Sequence, residues 1–139
     1  MVSEVATAGT PPASRILVVD DEPVIVRLME FVLDRQGYNV RTASDGEEAL
    51  QVVGEFQPEL IILDVMMPRK DGYTVAEAIR ADPDHALVPI IMLSAKAQDA
   101  DVEQGLAAGA NLYLTKPFEP DGLLEIVAQC LAASRTRGT

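Results

Sequence analysis

Five polar residues stand directly after apolar runs, and their chemical types suit a divalent cation and a phosphoryl group. The runs are residues 16–19, 60–63, 89–93 and 111–115. The polar residues that follow them are Asp20, Asp21, Asp64, Ser94 and Lys116. Buried parallel strands have continuous apolar sequences, and ligands of open α/β sheets bind beyond the carboxyl ends of the strands. The pattern therefore predicts that three carboxylates, a hydroxyl and an ammonium meet at one edge of a parallel sheet.

The carboxylates favour a metal site. Two carboxylates about 4 Å apart repel each other by roughly 4 kcal/mol at an effective dielectric constant near 20. A divalent cation removes this conflict, and Mg²⁺ accepts one or two carboxylates together with carbonyl oxygens and waters. The alternative is that Asp20, Asp21 and Glu22 only cap the helix that begins at Pro23. Capping does not explain why Asp64 also ends a strand.

Asp64 is the candidate nucleophile, since a carboxylate oxygen can accept a phosphoryl group as an acyl phosphate. Such a transfer needs groups that position the phosphoryl oxygens and neutralise their charge. Lys116 can do this as a compact point charge, and Ser94 can donate a hydrogen bond to the same oxygens. Each has a simpler explanation, a turn hydroxyl for Ser94 and a solvated surface lysine for Lys116. Their joint position at strand ends favours the chemical role.

Length, charge and hydrophobic content limit the classes of protein to which the chain can belong. The chain has 139 residues, which suits one domain, and 48% of them are hydrophobic, enough for a core. A formal charge of -11 argues against direct nucleic acid binding by this chain, and its simplest role is solubility. No apolar run approaches the roughly 20 residues that span a bilayer, so no membrane insertion is expected. The lone cysteine, Cys130, fits a reducing compartment, and we expect a cytoplasmic protein.

Strand and helix patterns alternate along the chain. Five of each predict a doubly wound parallel sheet with helices on both faces. We expect a flexible N-terminal tail over residues 1–14, one domain over 15–134 and a flexible end over 135–139. The helices include segments at about 73–81, 98–108 and 120–133. The predicted inward stripe of the first helix comprises Val24, Leu28, Phe31 and Val32.

The ordered set of polar residues resembles the receiver domain of two-component response regulators, of the chemotaxis receiver type, over about residues 15–133. The residues that carry this resemblance are the Asp20-Asp21 pair, Asp64 within residues 63–68, Gly72, Ser94-Ala95, Tyr113 and Lys116-Pro117-Phe118. A lone Asp-Asp pair is weak evidence, whereas the complete set in this order is strong. The resemblance implies a flavodoxin-like fold with five strands in the order 2-1-3-4-5 and five helices.

The resemblance also implies roles for residues. Asp64 would take the phosphoryl group from a sensor histidine kinase or a phosphotransfer protein, with Lys116 and Ser94 gripping it. Ser94 and Tyr113 would be the switch pair that alters the face of the fourth helix, fifth strand and last helix. That face would bind a downstream protein partner or a second receiver. The Lys116-Pro117 bond is expected to be cis.

The resemblance implies that Mg²⁺ binds Asp21, Asp64 and the backbone carbonyl of Met66, with Asp20 acting through water. Met66 and Lys96 stand at positions that vary widely in the family and affect how long the phosphoryl group persists.

Other functions fit the residues less well. A hydrolase of small phosphomonoesters needs a second acid near the nucleophile, and here Val65 and Met66 follow Asp64. A nucleotide or flavin binder needs glycines after the first strand, where this chain has Asp20 to Pro23. A receiver that no longer accepts phosphate is disfavoured by the complete residue set. We therefore expect a signalling module that catalyses only its own phosphoryl transfer and slow dephosphorylation, rather than a conventional enzyme.

Overall fold

The computed structural model describes residues 13–67, 71–95 and 98–138, with side chains described up to residue 134. The strands are β1 (Arg15–Val19), β2 (Asn39–Ala43), β3 (Leu60–Asp64), β4 (Ile90–Ser94) and β5 (Leu112–Thr115). The helices are α1 (Pro23–Arg35), α2 (Gly46–Phe56), α3 (Gly72–Ala81), α4 (Asp99–Ala108) and α5 (Pro120–Gly138). A short 3-10 turn, Pro83–His85, precedes β4.

The five strands form one parallel sheet in the order β2-β1-β3-β4-β5. The predicted flavodoxin-like fold is thus confirmed, including its strand order and its five helices. The registers place Asp64 beside Leu93 and Ser94 beside Thr115. Because all strands run in one direction, the polar residues that follow them share a single edge of the sheet.

Each face of the sheet packs against its own set of helices. The buried side chains of α2, α3 and α4 cover one face, and those of α1 and α5 cover the other. β3 and β4 are buried along their whole length, which explains their continuous apolar sequences. Helix ends follow local signals, since Asp45 and Asp71 cap α2 and α3 with their side chains.

The predicted inward stripe of α1 is wrong. Met29 and Leu33 are the buried residues of this helix, whereas Val24 is 77% exposed and Phe31 is 59% exposed. Leu28 is also exposed, and Val32 is only half-buried. The helix therefore turns an apolar surface toward solvent.

Ser14 and the last turns of α5 lie near the two ends of the described chain. Ser14 is buried, and its carbonyl accepts a hydrogen bond from the Asn39 amide, while residues 1–12 of the expected tail lie outside the described residues. α5 continues to Gly138, past the expected end of the last helix near residue 133. The limits of the domain at residues 15 and 134 stay a prediction. Among the helices in the described part of the chain, none is long and apolar enough to cross a membrane.

Candidate functional site

Asp20, Asp21 and Asp64 come together at the carboxyl edge of the sheet. One carboxylate oxygen of each lies within 4.8 Å of one oxygen of the other two. Asp20 and Asp64 are buried, whereas Asp21 is exposed. The cluster arises because β1 and β3 are neighbours in the sheet and both end at this edge.

The Asp64 carboxyl sits in surroundings that disfavour its charge. Its pKa is raised from 3.8 to about 6, chiefly by burial and next by the neighbouring negative charge of Asp20. Lys116 and the amide of Met66 oppose this effect, the amide donating a hydrogen bond of 3.4 Å to Asp64 Oδ1. At neutral pH most of this carboxyl is ionised, so a nucleophilic oxygen is available although its charge is poorly compensated.

Lys116 contacts three carboxylates. Its Nζ lies 2.9 Å from Asp20 Oδ2, 2.9 Å from Glu22 Oε1 and 3.5 Å from Asp64 Oδ1. Burial lowers the pKa of Lys116, but the hydrogen bonds to Glu22 and Asp20 outweigh it and the pKa is raised overall. The Lys116-Pro117 bond is cis, as expected. The ammonium is therefore charged and held beside the candidate nucleophile.

Ser94 and Tyr113 lie on neighbouring strands. Ser94 ends β4 and is fully buried, and its carbonyl accepts a hydrogen bond of 2.8 Å from the Lys116 amide. Tyr113 is half-buried and packs against the core on the α4 side of the sheet. Its hydroxyl hydrogen-bonds with that of Tyr73, a residue of α3 to which the sequence assigned no role.

Met66 and Lys96 are the two residues expected to modulate the phosphoryl lifetime. Met66 follows β3 and its side chain is 55% exposed next to Asp64. Lys96 lies outside the described residues. Gly72 packs closely against the backbone of Asp64, because a Cβ at position 72 would come within 2.5 Å of the Asp64 carbonyl oxygen.

The acidic cluster fits a Mg²⁺ ion. Ligand oxygens of an octahedral Mg²⁺ lie about 3–4 Å apart, so three oxygens within 4.8 Å need only small movements to share one ion. Asp20 has both oxygens engaged, Oδ1 by the Glu22 amide and Oδ2 by Lys116. Asp21 and Asp64 are thus better placed as direct ligands, and the raised pKa of Asp64 marks negative charge that a cation would stabilise.

Glu22 is the site residue whose role differs from the sequence interpretation. It stands at the N-cap of α1, but its side chain makes no capping hydrogen bond. The carboxylate reaches Lys116 instead, across 94 residues of sequence. The amide of Glu22 is held by Asp20, so the acidic stretch stabilises the site rather than the helix end.

Comparison with families and curated proteins relates this site to known sequences. The family described as "Response regulator receiver domain" matches residues 16–128. The chain is 50% identical over 106 residues to the alkaline phosphatase synthesis transcriptional regulatory protein PhoP of Bacillus subtilis, covering 76% of this chain and 43% of that protein. It is 42% identical over 117 residues to the DNA-binding dual master transcriptional regulator RpaA of Synechocystis, covering 84% of this chain and 48% of that protein. The chain thus spans about half the length of the curated relatives it matches.

Solved structures give the same picture. A putative response regulator from Chloroflexus aurantiacus superimposes with a TM-score of 0.82 at 42% identity, covering 86% of this chain and 98% of that one. The chemotaxis response regulator CheY4 of Vibrio cholerae superimposes with a TM-score of 0.81 at 34% identity, covering 85% and 98%.

Proposed function

Because the chain belongs to the response regulator receiver domain family, we propose that it is a signalling switch that accepts a phosphoryl group on Asp64. The observation that carries this proposal is the position of Asp64 at the end of β3, with Lys116 Nζ 3.5 Å from its Oδ1. A carboxylate with a cation beside it can attack phosphorus and then hold the product's charge.

The proposed reaction transfers a phosphoryl group from the donor to Asp64 and needs no oxidant or reductant. An oxygen of Asp64 forms a bond to phosphorus as the bond between phosphorus and the donor breaks, and the donor leaves with that electron pair. A phosphohistidine that carries a proton on its other ring nitrogen leaves as neutral imidazole. When bound by Asp21, Asp64 and the Met66 carbonyl, with Asp20 acting through water, Mg²⁺ would neutralise negative charge on the carboxylates and the phosphoryl oxygens.

The residues around Asp64 would act on the phosphoryl oxygens. The Lys116 ammonium is charged and already lies at the site, so it can donate a hydrogen bond once the group has arrived. The hydroxyl of Ser94 would supply a second donor from the end of the neighbouring strand. Neither residue needs to gain or lose a proton for this role.

The switching step would couple Asp64 to Tyr113. Movement of Ser94 toward the phosphoryl group would free space at the end of β4, which Tyr113 on the adjacent β5 could enter. Such a coupling shifts the population only as far as the phosphoryl group prefers one of the two states. The face formed by α4, β5 and α5 would then bind a downstream protein or a second receiver.

The exposed apolar surface of α1 supports a protein as phosphoryl donor. Val24, Leu28 and Phe31 face solvent. A groove of about 440 Å³ is lined by both Leu28 and Lys116, which links this surface to the site. We propose that a sensor kinase or phosphotransfer protein packs on this surface while its phosphohistidine reaches Asp64. Membership of the family also suggests a cytoplasmic location, and the net charge of -11 disfavours direct DNA binding by this chain.

Labelling with acetyl phosphate tests the proposal. The protein is incubated with acetyl phosphate and Mg²⁺, and the modified residue is identified by mass spectrometry. We expect one phosphoryl group on Asp64, none on Asp64→Asn, and wild-type labelling of Asp34→Asn, a matched change on the exposed side of α1. Undiminished labelling of Asp64→Asn would refute the assignment, and steady hydrolysis of phosphomonoesters would favour a hydrolase.

A further inference from the structure

Two of the three N–H donors of Lys116 are taken by carboxylates other than that of Asp64 in this conformation. A lysine has three N–H donors, and Lys116 Nζ faces three carboxylates, those of Asp20, Glu22 and Asp64. A phosphoryl group on Asp64 can take over the donor that faces Asp64, but it gains a second donor only if Asp20 or Glu22 gives one up. The structure indicates which one it is.

Asp20 is the partner that must stay. Its side chain is fully buried, and its second oxygen accepts a hydrogen bond of 2.9 Å from the Glu22 amide. Separation from Lys116 would leave a buried carboxylate without its cation, which is strongly unfavourable. The contact between Asp20 and Lys116 is therefore expected in both states of the protein.

Glu22 is the partner that can leave. Its side chain is 59% exposed, so water can replace Lys116 around the carboxylate at small cost. The backbone of Glu22 is fixed by Asp20 and by Pro23, the first residue of α1, and the side chain makes no capping bond. The side chain can thus turn away without disturbing the helix.

We infer that Glu22 is a positioning residue that holds Lys116 in the unphosphorylated protein and competes with the phosphoryl group for its ammonium. This inference rests on the proposed phosphorylation of Asp64. Glu22 would slow entry into the phosphorylated state in two ways. It occupies a second donor that the phosphoryl oxygens could use, and it places one more negative charge at the mouth of the site.

The test compares Glu22→Gln with Glu77→Gln. The first variant keeps the length of the side chain but loses the ion pair. The second makes the same change in net charge on the exposed side of α3. Labelling by acetyl phosphate is followed at a Mg²⁺ concentration beyond which the wild-type rate no longer rises. The ¹⁵N signal of the Lys116 ammonium is recorded in the unphosphorylated proteins as a readout of the contact itself.

We expect Glu22→Gln to be labelled about two- to fivefold faster than wild type, the scale of an exposed ion pair that must otherwise be broken. The Lys116 signal should move in Glu22→Gln only, and Glu77→Gln should match wild type in both measurements. Labelling of Glu22→Gln at or below the wild-type rate would overturn the inference, as would equal acceleration of both variants. If wild type itself is not labelled on Asp64, the proposed function fails, and an unmoved Lys116 signal would separately show that Glu22 does not hold the ammonium.

Discussion

The ring of Tyr113 lies directly against Gly105 of α4, and a Cβ at position 105 would come within 2.7 Å of Tyr113 Cδ2. The absence of a side chain there gives the tyrosine its present place. The hydrogen bond between the hydroxyls of Tyr73 and Tyr113 fixes the other end of the ring. Two contacts from neighbouring helices thus define one position of the proposed switch residue.

Removal of the Tyr73 hydroxyl should favour the activated state. If Tyr113 leaves this position when Asp64 is modified, Tyr73→Phe deletes a hydrogen bond that exists only in the unmodified state. The 3.5 Å hydrogen bond from the Tyr73 hydroxyl to the Asp101 carbonyl is lost in both states, so its loss should not favour either one. A neutral hydrogen bond contributes about 1 kcal/mol, so the affinity for beryllofluoride should rise by up to about fivefold. The affinity can be measured by NMR titration in the presence of Mg²⁺.

Tyr38→Phe is the matched control, since Tyr38 packs against the core on the opposite face of the sheet. Its beryllofluoride affinity should equal that of wild type. An unchanged affinity in Tyr73→Phe would mean that Tyr113 keeps its contact with Tyr73 in both states.

The raised pKa of Asp64 predicts how the free energy of unfolding depends on pH when no metal is bound. Its folded-state pKa of about 6 lies above the value of 3.8 expected in the unfolded chain, so between these values the folded protein holds more protons. The free energy of unfolding contributed by this group therefore falls as pH rises from about 4 to about 6, by roughly 3 kcal/mol at most. Asp64→Asn should remove this fall and be the more stable protein at pH 7.

Mg²⁺ should reduce the stability difference between wild type and Asp64→Asn. The cation stabilises the ionised carboxylates in the folded state only, so wild type should gain more stability from Mg²⁺ than Asp64→Asn does. Urea unfolding at pH 4.5 and pH 7, with and without Mg²⁺, measures both effects. A wild-type stability that is flat across this range in chelator would contradict the raised pKa.

The sequence predicted the sheet and the polar cluster well, because both follow from local patterns. Each apolar run ends at its polar residue, and parallel order brings the strand ends to one edge. The contact between Glu22 and Lys116 could not be predicted in this way. These residues are 94 positions apart, and no periodicity relates a side chain at a helix start to one after the last strand.

The error in α1 has a different cause. The helix has apolar residues on more than one side, so the spacing of Val24, Leu28 and Phe31 fits a buried stripe as well as that of Met29 and Leu33 does. Only the direction in which the chain leaves β1 decides which stripe meets the sheet. An apolar stripe that packing leaves exposed is informative, since extended apolar surface often marks a binding site.

Truncation of that stripe should separate protein donors from small donors. In Leu28→Ala with Phe31→Ala, transfer from a purified phosphorylated histidine kinase that labels wild type should slow by about tenfold, the scale of losing buried interface side chains. Labelling by acetyl phosphate should not change, because both side chains lie on the exposed side of α1 and a small donor does not need that surface. Leu87→Ala serves as the control, an equally apolar residue that is 74% exposed before β4. Equal slowing with the histidine kinase and with acetyl phosphate would show that the substitutions disturb the site around Asp64.

The lifetime of the phosphorylated protein is predicted to be minutes or longer rather than seconds. Hydrolysis of the acyl phosphate needs a water held in line with phosphorus, and a polar side chain can orient it. Met66 follows β3 and is 55% exposed. Its thioether is only a weak hydrogen-bond acceptor. Lys96, when charged, offers donors but cannot take a proton from water. Neither residue can therefore activate the attacking water.

A double variant tests whether these two positions set the lifetime. The protein is labelled, the donor is removed, and loss of the phosphoryl group is followed in wild type and in Met66→Asn with Lys96→Glu. The introduced amide and carboxylate can orient a water and accept its proton, so the variant should lose the group about tenfold faster, less than the roughly hundredfold or greater gain that a well-positioned base gives. Glu77→Gln is the control for sample handling, and it should lose its phosphoryl group at the wild-type rate. Equal decay in the double variant and wild type would mean that water reaches phosphorus by a path that these side chains do not touch.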